Sequence, residues 1–384
     1  MVRTKQENVL FKEMDFKGAD KVIIANKPKL LELIEAALKE NTLSALRESI
    51  FKLKSSLSYF KADSEGLLNI GINGDTLQIN QKYLFGEFKQ IIEAQTLERS
   101  RYYLHRLAKA ISEHRTNNIN DMNLNRWKEC EDIITDSLWV LDKRDSSGVH
   151  KANYWGNFIP QIPNQMMKRF TKKGEWVLDT FAGCGTTLIE AQRLGRNCIG
   201  IELQRQVVKN ANELIRSEPN RFNTINEVIE ADSANVDYEK LLQRYGRESV
   251  QLLIMHPPYF DIIKFSDNPH DLSNAKSVND FLAIMSEIVC KASKVLDKGR
   301  YLALVIGDKY SKGEWIPLGF LTMQEVLKNS FILKSIIVKN FEETFGKRNQ
   351  KELWRYRALV GGFYIFKHEY IFLFKKGKVK NAVI

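Results

Sequence analysis

Residues 252–261 read LLIMHPPYFD, a short apolar run that ends in His256, Pro257, Pro258 and Tyr259. Two adjacent prolines stop a helix or an inner strand, because neither offers an N–H and each confines the residue before it. What remains is a stiff corner carrying an imidazole, fixed carbonyls and an aromatic ring. A plain loop after a strand would have the same composition, so the corner acquires meaning from what converges on it. Upstream, WVLDTFAGCGTTLIEAQRLG (176–195) puts Asp179 at the end of an apolar run. A turn with Phe181, Gly183 and Gly185 follows, and a helix opens near Thr186. Glycines belong where the chain turns with positive φ or a ligand approaches the backbone. The helix N-terminus then faces whatever sits over that turn. Glu202 ends the next apolar run, NCIGIE, where an acid can accept from both hydroxyls of a ribose. Asp232 follows a third run, EVIEA, within reach of an adenine amino group.

The turn lacks the third glycine of a dinucleotide fingerprint, since Thr186, Thr187 and Leu188 follow Gly185. A plain βαβ turn and a nicotinamide site are the competing readings. With no pyrophosphate to cradle, a nucleoside with a charged amino-acid tail suits the turn better, and S-adenosylmethionine is such a molecule.

These residues need a frame. WVLD (176–179), NCIGIE (197–202), EVIEA (227–231), QLLIM (251–255) and YLALVIG (301–307) are short apolar runs separated by helical or loop segments. That alternation predicts an α/β fold: a doubly wound, mostly parallel Rossmann-like sheet covered on both faces. Its carboxyl edge would collect Asp179, Glu202, Asp232 and His256. SIIVKN (335–340) and HEYIFLFKK (368–376), joined by a loop, are expected to form an antiparallel C-terminal edge. Residues 1–145 read as a mainly helical domain, with helices at 27–40 and within 83–114 and a short hairpin in GLLNIGINGDTLQI. No internal repeat is evident, and the polar run 142–153 reads as a linker to a catalytic domain at 150–384.

Among 384 residues, Lys and Arg number 58 against 47 Asp and Glu, a net charge of +11 that suits an anionic partner such as nucleic acid. Residues 1–150 hold 23 basic against 22 acidic side chains, so nearly all the excess lies in the rest. The four scattered cysteines make neither a CxxC pair nor a ligand spacing, which predicts no metal. No apolar run is long enough for a membrane span and the N-terminus lacks a signal-peptide core, so a cytoplasmic protein is expected.

The order FAGCGTT, GIEL, HPPY resembles the amino-group (N4-cytosine/N6-adenine) DNA methyltransferases, and more loosely the class I S-adenosylmethionine-dependent fold. The resemblance covers roughly 150–380. In that family a proline-containing segment before the first strand walls the cofactor pocket, and Phe158, Ile159 and Pro160 occupy the matching place. The resemblance implies that His256 and the carbonyl of Pro257 accept from the target amine, that the prolines fix that carbonyl, and that Tyr259, helped by Phe260, stacks on an extruded base. The first position is usually Asp, Asn or Ser; His256 departs from this, and the absence of Asp inclines the reading toward N4 of cytosine over N6 of adenine. The expected substrate is DNA. The expected setting is a restriction–modification system, with a cognate endonuclease as functional partner. An RNA base methyltransferase, or a non-catalytic nucleic-acid-binding protein of the same fold, is the alternative. Lys264 after the corner, and Lys347, Arg348, Lys351, Arg355 and Arg357 interleaved with aromatics, are the expected phosphate contacts. Asp267 and His270 read as solvated, and the loop after Asp308 as one able to face DNA.

Overall fold

The computed structural model describes residues 21–58, 66–68, 75–141, 143–150, 156–340 and 351–377, the side chain of Lys351 excepted. The chain divides into two compact units, Met1–Thr116 with Asn123–Glu131, and Asn117–Met122 with Asp132–Ile384.

The first unit runs β1 (Val22–Asn26), α1 (Lys27–Leu38), α2 (Leu43–Ser58). The same order then recurs as β2 (Thr76–Asn80), α3 (Gln81–Glu93), α4 (Leu97–Ser112). The helices expected from periodicity are present, the second as two, because Ala94 leaves the helical region. TLQIN pairs antiparallel with VIIAN, 54 residues upstream; residues 69–74 of the expected hairpin lie outside the described residues.

The reading of no repeat is corrected too. Buried Ile23, Ala25, Leu30, Ile34, Ala37, Leu46, Ile50, Leu53 and Leu57 are each matched 54 residues on by a buried residue: Leu77, Ile79, Leu84, Phe88, Ile91, Ser100, Leu104, Leu107 and Ile111. Asn26 and Asn80 cap α1 and α3, each accepting at 3.0 Å from the N–H three residues on. Thr42 and Thr96 cap α2 and α4 in the same way, at 3.2 Å. Arg47 donates to the Ala94 carbonyl at 2.9 Å, and its counterpart Arg101 donates to the Glu40 carbonyl at 2.7 Å. In the ribbon Ile24 lies opposite Gln78, its own counterpart. A pseudo-two-fold axis through that pair therefore relates the halves, as in an isologous dimer written into one chain.

In the second unit the order is β3 (Leu138–Trp139), α5 (Gln161–Phe170), β4 (Trp176–Asp179), α6 (Thr186–Leu194), β5 (Asn197–Glu202), α7 (Arg205–Ser217), β6 (Asn226–Glu230). It continues with α8 (Tyr238–Gln243), β7 (Val250–Met255), α9 (Val278–Lys294) and β8 (Leu296–Ile306). Last come the β9 (Lys309–Ser311) and β10 (Glu314–Ile316) hairpin, α10 (Leu318–Leu327), β11 (Phe331–Asn340), α11 (Lys351–Gly361) and β12 (His368–Lys376). One sheet takes eight of these strands in the order β3-β11-β12-β8-β7-β4-β5-β6. Strands β6, β5, β4, β7 and β8 are parallel. Each face of the sheet has its own core: Val177, Leu252 and Ile254 pack with α6, while Leu178, Leu253 and Met255 pack with α9. Being buried on both sides is what made these strands continuous apolar runs.

The antiparallel pairing lies one place further in than expected. Strand β12 runs antiparallel to both β8 and β11, and short β3 closes that side parallel to β11. A helix, α11, stands between β11 and β12 where a loop was expected. The described part of 142–153 is not a spacer: Arg144 donates to the carbonyls of Asn157 and Phe158, Arg193 to that of Ser147, and His150 meets Glu190 at 2.7 Å. Among the described residues no helix is long and apolar enough to cross a membrane.

Candidate functional site

Strand order reverses between β4 and β7, and the carboxyl ends of β5, β4, β7 and β8 meet a cavity of about 1310 Å³. Such a switch point is where ligands bind in doubly wound sheets. Its volume exceeds the ~300–1,000 Å³ of a single small-molecule pocket, leaving room for a nucleoside cofactor and a base together.

Of the residues expected to bind cofactor, Phe158, Ile159, Phe181, Gly183, Glu202 and Asp232 line the cavity wall. Asp179, Gly185, Thr186 and Pro160, expected to bind cofactor, are not on it but shape it from beneath. Asp179 is fully buried and accepts from the Phe181 N–H at 2.9 Å, fixing the turn; burial pushes its carboxyl up to about 6. Its Oδ2 has no hydrogen-bond partner among the described residues. Gly185 holds the α6 N-cap at φ 82°, and a Cβ there would press on Ile215 at 3.3 Å. Thr186 Oγ1 donates to Asn157 at 2.7 Å and so ties α6 to the segment before β4. Pro160 caps α5.

Glu202 accepts from the Gln204 N–H at 2.9 Å, and burial raises its carboxyl against the pull of neighbouring N–H groups. Asp232 accepts from the Ala234 N–H at 2.8 Å and from Asn235 at 2.6 Å, and meets His270 Nδ1 at 3.1 Å. His270 is exposed, as its solvated reading expects, and stands at the cavity wall.

Sequence reasoning missed Arg144 and Asn157. Both line the cavity, and Arg144 Nε and Nη2 and Asn157 Nδ2 are buried donors with no partner among the described residues. Unsatisfied buried donors are costly, and three together suit a carboxylate. The set fits S-adenosylmethionine: donors for the tail carboxylate, Glu202 for the ribose and Asp232 for the adenine.

The same cavity is lined by His256, Pro257, Pro258 and Tyr259. The His256 ring packs against Phe158 with centroids 4.8 Å apart. Burial lowers its pKa to about 4, with Lys339 adding to that and Glu369 opposing it, so the imidazole is neutral. The Tyr259 hydroxyl donates to Glu369 at 2.8 Å, and Glu369 also accepts from Lys339 at 3.0 Å. His256 Nε2 lies 3.2 Å from the same hydroxyl. Since the tyrosine proton goes to Glu369, Nε2–H must donate to the tyrosine oxygen, which leaves Nδ1 as the acceptor of the ring. Burial lifts the Tyr259 hydroxyl well above its ordinary range, with Glu369 adding to it. Gly307, at the end of β8, supports the tyrosine ring: a Cβ there would sit 2.9 Å from Cε2. Glu369, Lys339 and Gly307 carry no motif signal.

The stacking role suggested for Phe260 is corrected. Its backbone sits at φ 54° and its ring packs into the core against Phe281. Lys264 is paired with Asp267 at 2.5 Å, away from the cavity wall. Asp308 anchors structure, accepting from the Gly319 N–H at 2.9 Å and Trp315 Nε1 at 3.0 Å. Lys347 and Arg348 lie outside the described residues, as does the Lys351 side chain. Arg355 and Arg357 are exposed on α11, with Arg357 5.2 Å from the Trp354 ring, which itself lines the cavity.

The sequence matches the DNA methylase family of N6/N4 type over residues 16–213 and 250–383, further toward the N-terminus than the resemblance seen in the motifs. It is similar to the Type II methyltransferase M2.DpnII of Streptococcus pneumoniae, 34% identical over 25% of this chain and 34% of that one. It is also similar to the Type II methyltransferase M.MjaII of Methanocaldococcus jannaschii, 26% identical over 28% of this chain and 23% of that one. A tRNA (guanine(10)-N2)-dimethyltransferase from the same organism is 30% identical over 31% of this chain and 36% of that protein. Each of these matches spans about a third or less of the relative's own length. With the family match running through both units, the chain belongs to the amino-group DNA methylases, whose cofactor is S-adenosylmethionine.

Proposed function

We propose that this protein transfers a methyl group from S-adenosylmethionine to an exocyclic amino group of a base in DNA, as the modification enzyme of a restriction–modification system. The observation that carries the reading is the neutral imidazole of His256 beside Tyr259, in the same cavity as Glu202 and Gly183. The relatives named as Type II methyltransferases support the setting.

When bound, S-adenosylmethionine supplies an electrophilic methyl on a sulfonium. Arg144 and Asn157 would hold its carboxylate, Glu202 its ribose and Asp232 its adenine. Tyr259, its ring supported by Gly307 and its hydroxyl tied to Glu369, presents a fixed surface for an extruded base. His256 Nδ1 and the Pro257 carbonyl accept from the two amine N–H bonds. These contacts free the nitrogen lone pair from the ring and gather the positive charge that develops on it. The alkylated nitrogen is far more acidic than an imidazolium, so an imidazole with a pKa of about 4 can take its surplus proton. No thiol is required: Cys184 is the cysteine nearest the turn, and burial raises it away from the reactive thiolate. N4 of cytosine ranks ahead of N6 of adenine because the first motif position holds no acid.

The tRNA-modifying relative favours one second reading, an RNA base as substrate. Tritiated methyl transfer to duplex DNA and to total RNA separates the two. Label in DNA is expected, and label in RNA alone overturns the proposal.

A further inference from the structure

We infer that the β1–β2 ribbon of the first unit reads the DNA major groove and supplies the sequence specificity of the enzyme; this rests on the proposed function for the presence of DNA. The period-two pattern of the ribbon sorts its side chains. Ile23, Ala25, Leu77 and Ile79 are buried on the helices, while Val22, Ile24, Thr76 and Gln78 stand on the opposite, exposed face. Val22 and Ile24 are 55% and 41% exposed.

Each edge of the ribbon is met in part by residues of the same unit. The Asn26 N–H donates to the Leu67 carbonyl at 2.7 Å on the side of β1. On the side of β2, Arg126 donates to the Gln78 carbonyl at 2.7 Å and Glu129 accepts from the Asn80 N–H at 2.9 Å. These contacts hinder strand addition from a second copy, and the exposed face is the surface considered. A two-stranded antiparallel ribbon is one of the two elements that fit the B-DNA major groove. Its pseudo-two-fold axis through Ile24 and Gln78 matches the local dyad of a duplex.

The chemistry on that face is that of base edges. Gln78 can pair bidentately with the N6 and N7 of adenine, Thr76 can bond to several bases, and Val22 and Ile24 can pack on thymine methyls. Because the axis relates Ile24 to Gln78 and Val22 to Thr76, pairs of unlike residues, the site read is asymmetric although the scaffold is not. The unit holds 21 basic against 17 acidic side chains, a mild excess that suits base readout, with most phosphate contacts left to the more basic remainder of the chain.

The test uses the full chain with S-adenosylhomocysteine and a pool of randomised duplexes. The wild type is expected to select a sequence. The Ile24→Ala/Gln78→Ala double variant should bind that sequence about 10- to 100-fold more weakly. Its affinity for scrambled duplex and for the cofactor, and its melting temperature, should be unchanged, because both side chains lie outside the core. A double variant that selects the same sequence with the same affinity, or a wild type without selection, overturns the inference. Methyl transfer by the wild type is read in parallel. Transfer with undiminished selection in the variant removes only the role of the ribbon. Selection lost in the variant without transfer by the wild type removes only the proposed activity.

Discussion

Replacing Tyr259 by phenylalanine keeps the ring and removes one oxygen, and that oxygen is the hinge of the catalytic corner. It donates to the Glu369 carboxylate at 2.8 Å and receives from His256 at 3.2 Å. A hydrogen bond to a charged partner is worth ~1.5–3 kcal/mol and a neutral one ~0.5–1.5 kcal/mol. Tyr259→Phe should therefore destabilise the fold by about 2–4.5 kcal/mol, partly offset where water replaces the hydroxyl. The second bond holds Nε2 protonated and Nδ1 free. Losing its orienting preference of ~0.5–1.5 kcal/mol lowers kcat ~2- to 13-fold at ~1.36 kcal/mol per decade. Cofactor affinity should stay within about twofold, because the hydroxyl bonds to Glu369 and His256 and to none of the residues suited to the nucleoside. Single-turnover methyl transfer at saturating cofactor, with calorimetric titration of S-adenosylmethionine, reads both quantities. An unchanged single-turnover rate would refute the role given to the hydroxyl and leave Tyr259 a stacking surface only; a collapse of cofactor affinity would refute the division of the cavity.

Arg144→Ala should weaken S-adenosylmethionine about 10- to 100-fold, as expected for losing a charge-assisted bond, while adenosine binds as before; equal losses for both ligands would contradict the carboxylate assignment. Gly307→Ala drives a methyl to within 2.9 Å of the Tyr259 ring, so turnover should fall at least ~10-fold with cofactor affinity intact, and a fully active variant would show that the ring position is unimportant. His256 has a folded pKa of about 4 against an ordinary 6.5, so the unfolded chain takes up a proton in that interval and the folded chain does not. Its contribution to stability is lost as pH falls from about 6.5 toward 4, up to about 3 kcal/mol at ~1.36 kcal/mol per unit. Asp179, raised to about 6, works in the opposite sense over the same range, so the effect must be read as the pH dependence of the difference between wild type and His256→Asn. An acid limb of kcat/KM near pH 6.5 would show an exposed rather than a buried imidazole.

Much of the catalytic frame was legible because its strands are buried on both faces, which writes them as unbroken Val, Ile and Leu runs whose ends can be counted. Residues on those ends, Glu202 and His256 among them, could be found from position. Asp179 was legible in place but not in action: the sequence shows an acid at a strand tip, not that its carboxylate turns under the loop toward the Phe181 N–H. Glu369 and Lys339 lie on β12 and β11, over a hundred and over eighty residues from His256 respectively, and meet it only because β12 inserts between β8 and β11. Arg144 sits in a stretch whose Asp, Ser and Gly content reads as a spacer. The repeat in the first unit was hidden for another reason. Asn26/Asn80, Thr42/Thr96, Leu43/Leu97 and Arg47/Arg101 are among the few identical pairs; what the halves share is a pattern of burial and caps, which physical folding preserves while identities drift.

The identity of the modified nucleoside tests the central claim most directly. Duplex DNA incubated with the enzyme and S-adenosylmethionine, digested and resolved by mass spectrometry against standards, should contain an amino-methylated base, with N4-methylcytosine ahead of N6-methyladenine. 5-Methylcytosine, or unmodified DNA from enzyme that binds the cofactor, would contradict an amine held between His256 and the Pro257 carbonyl.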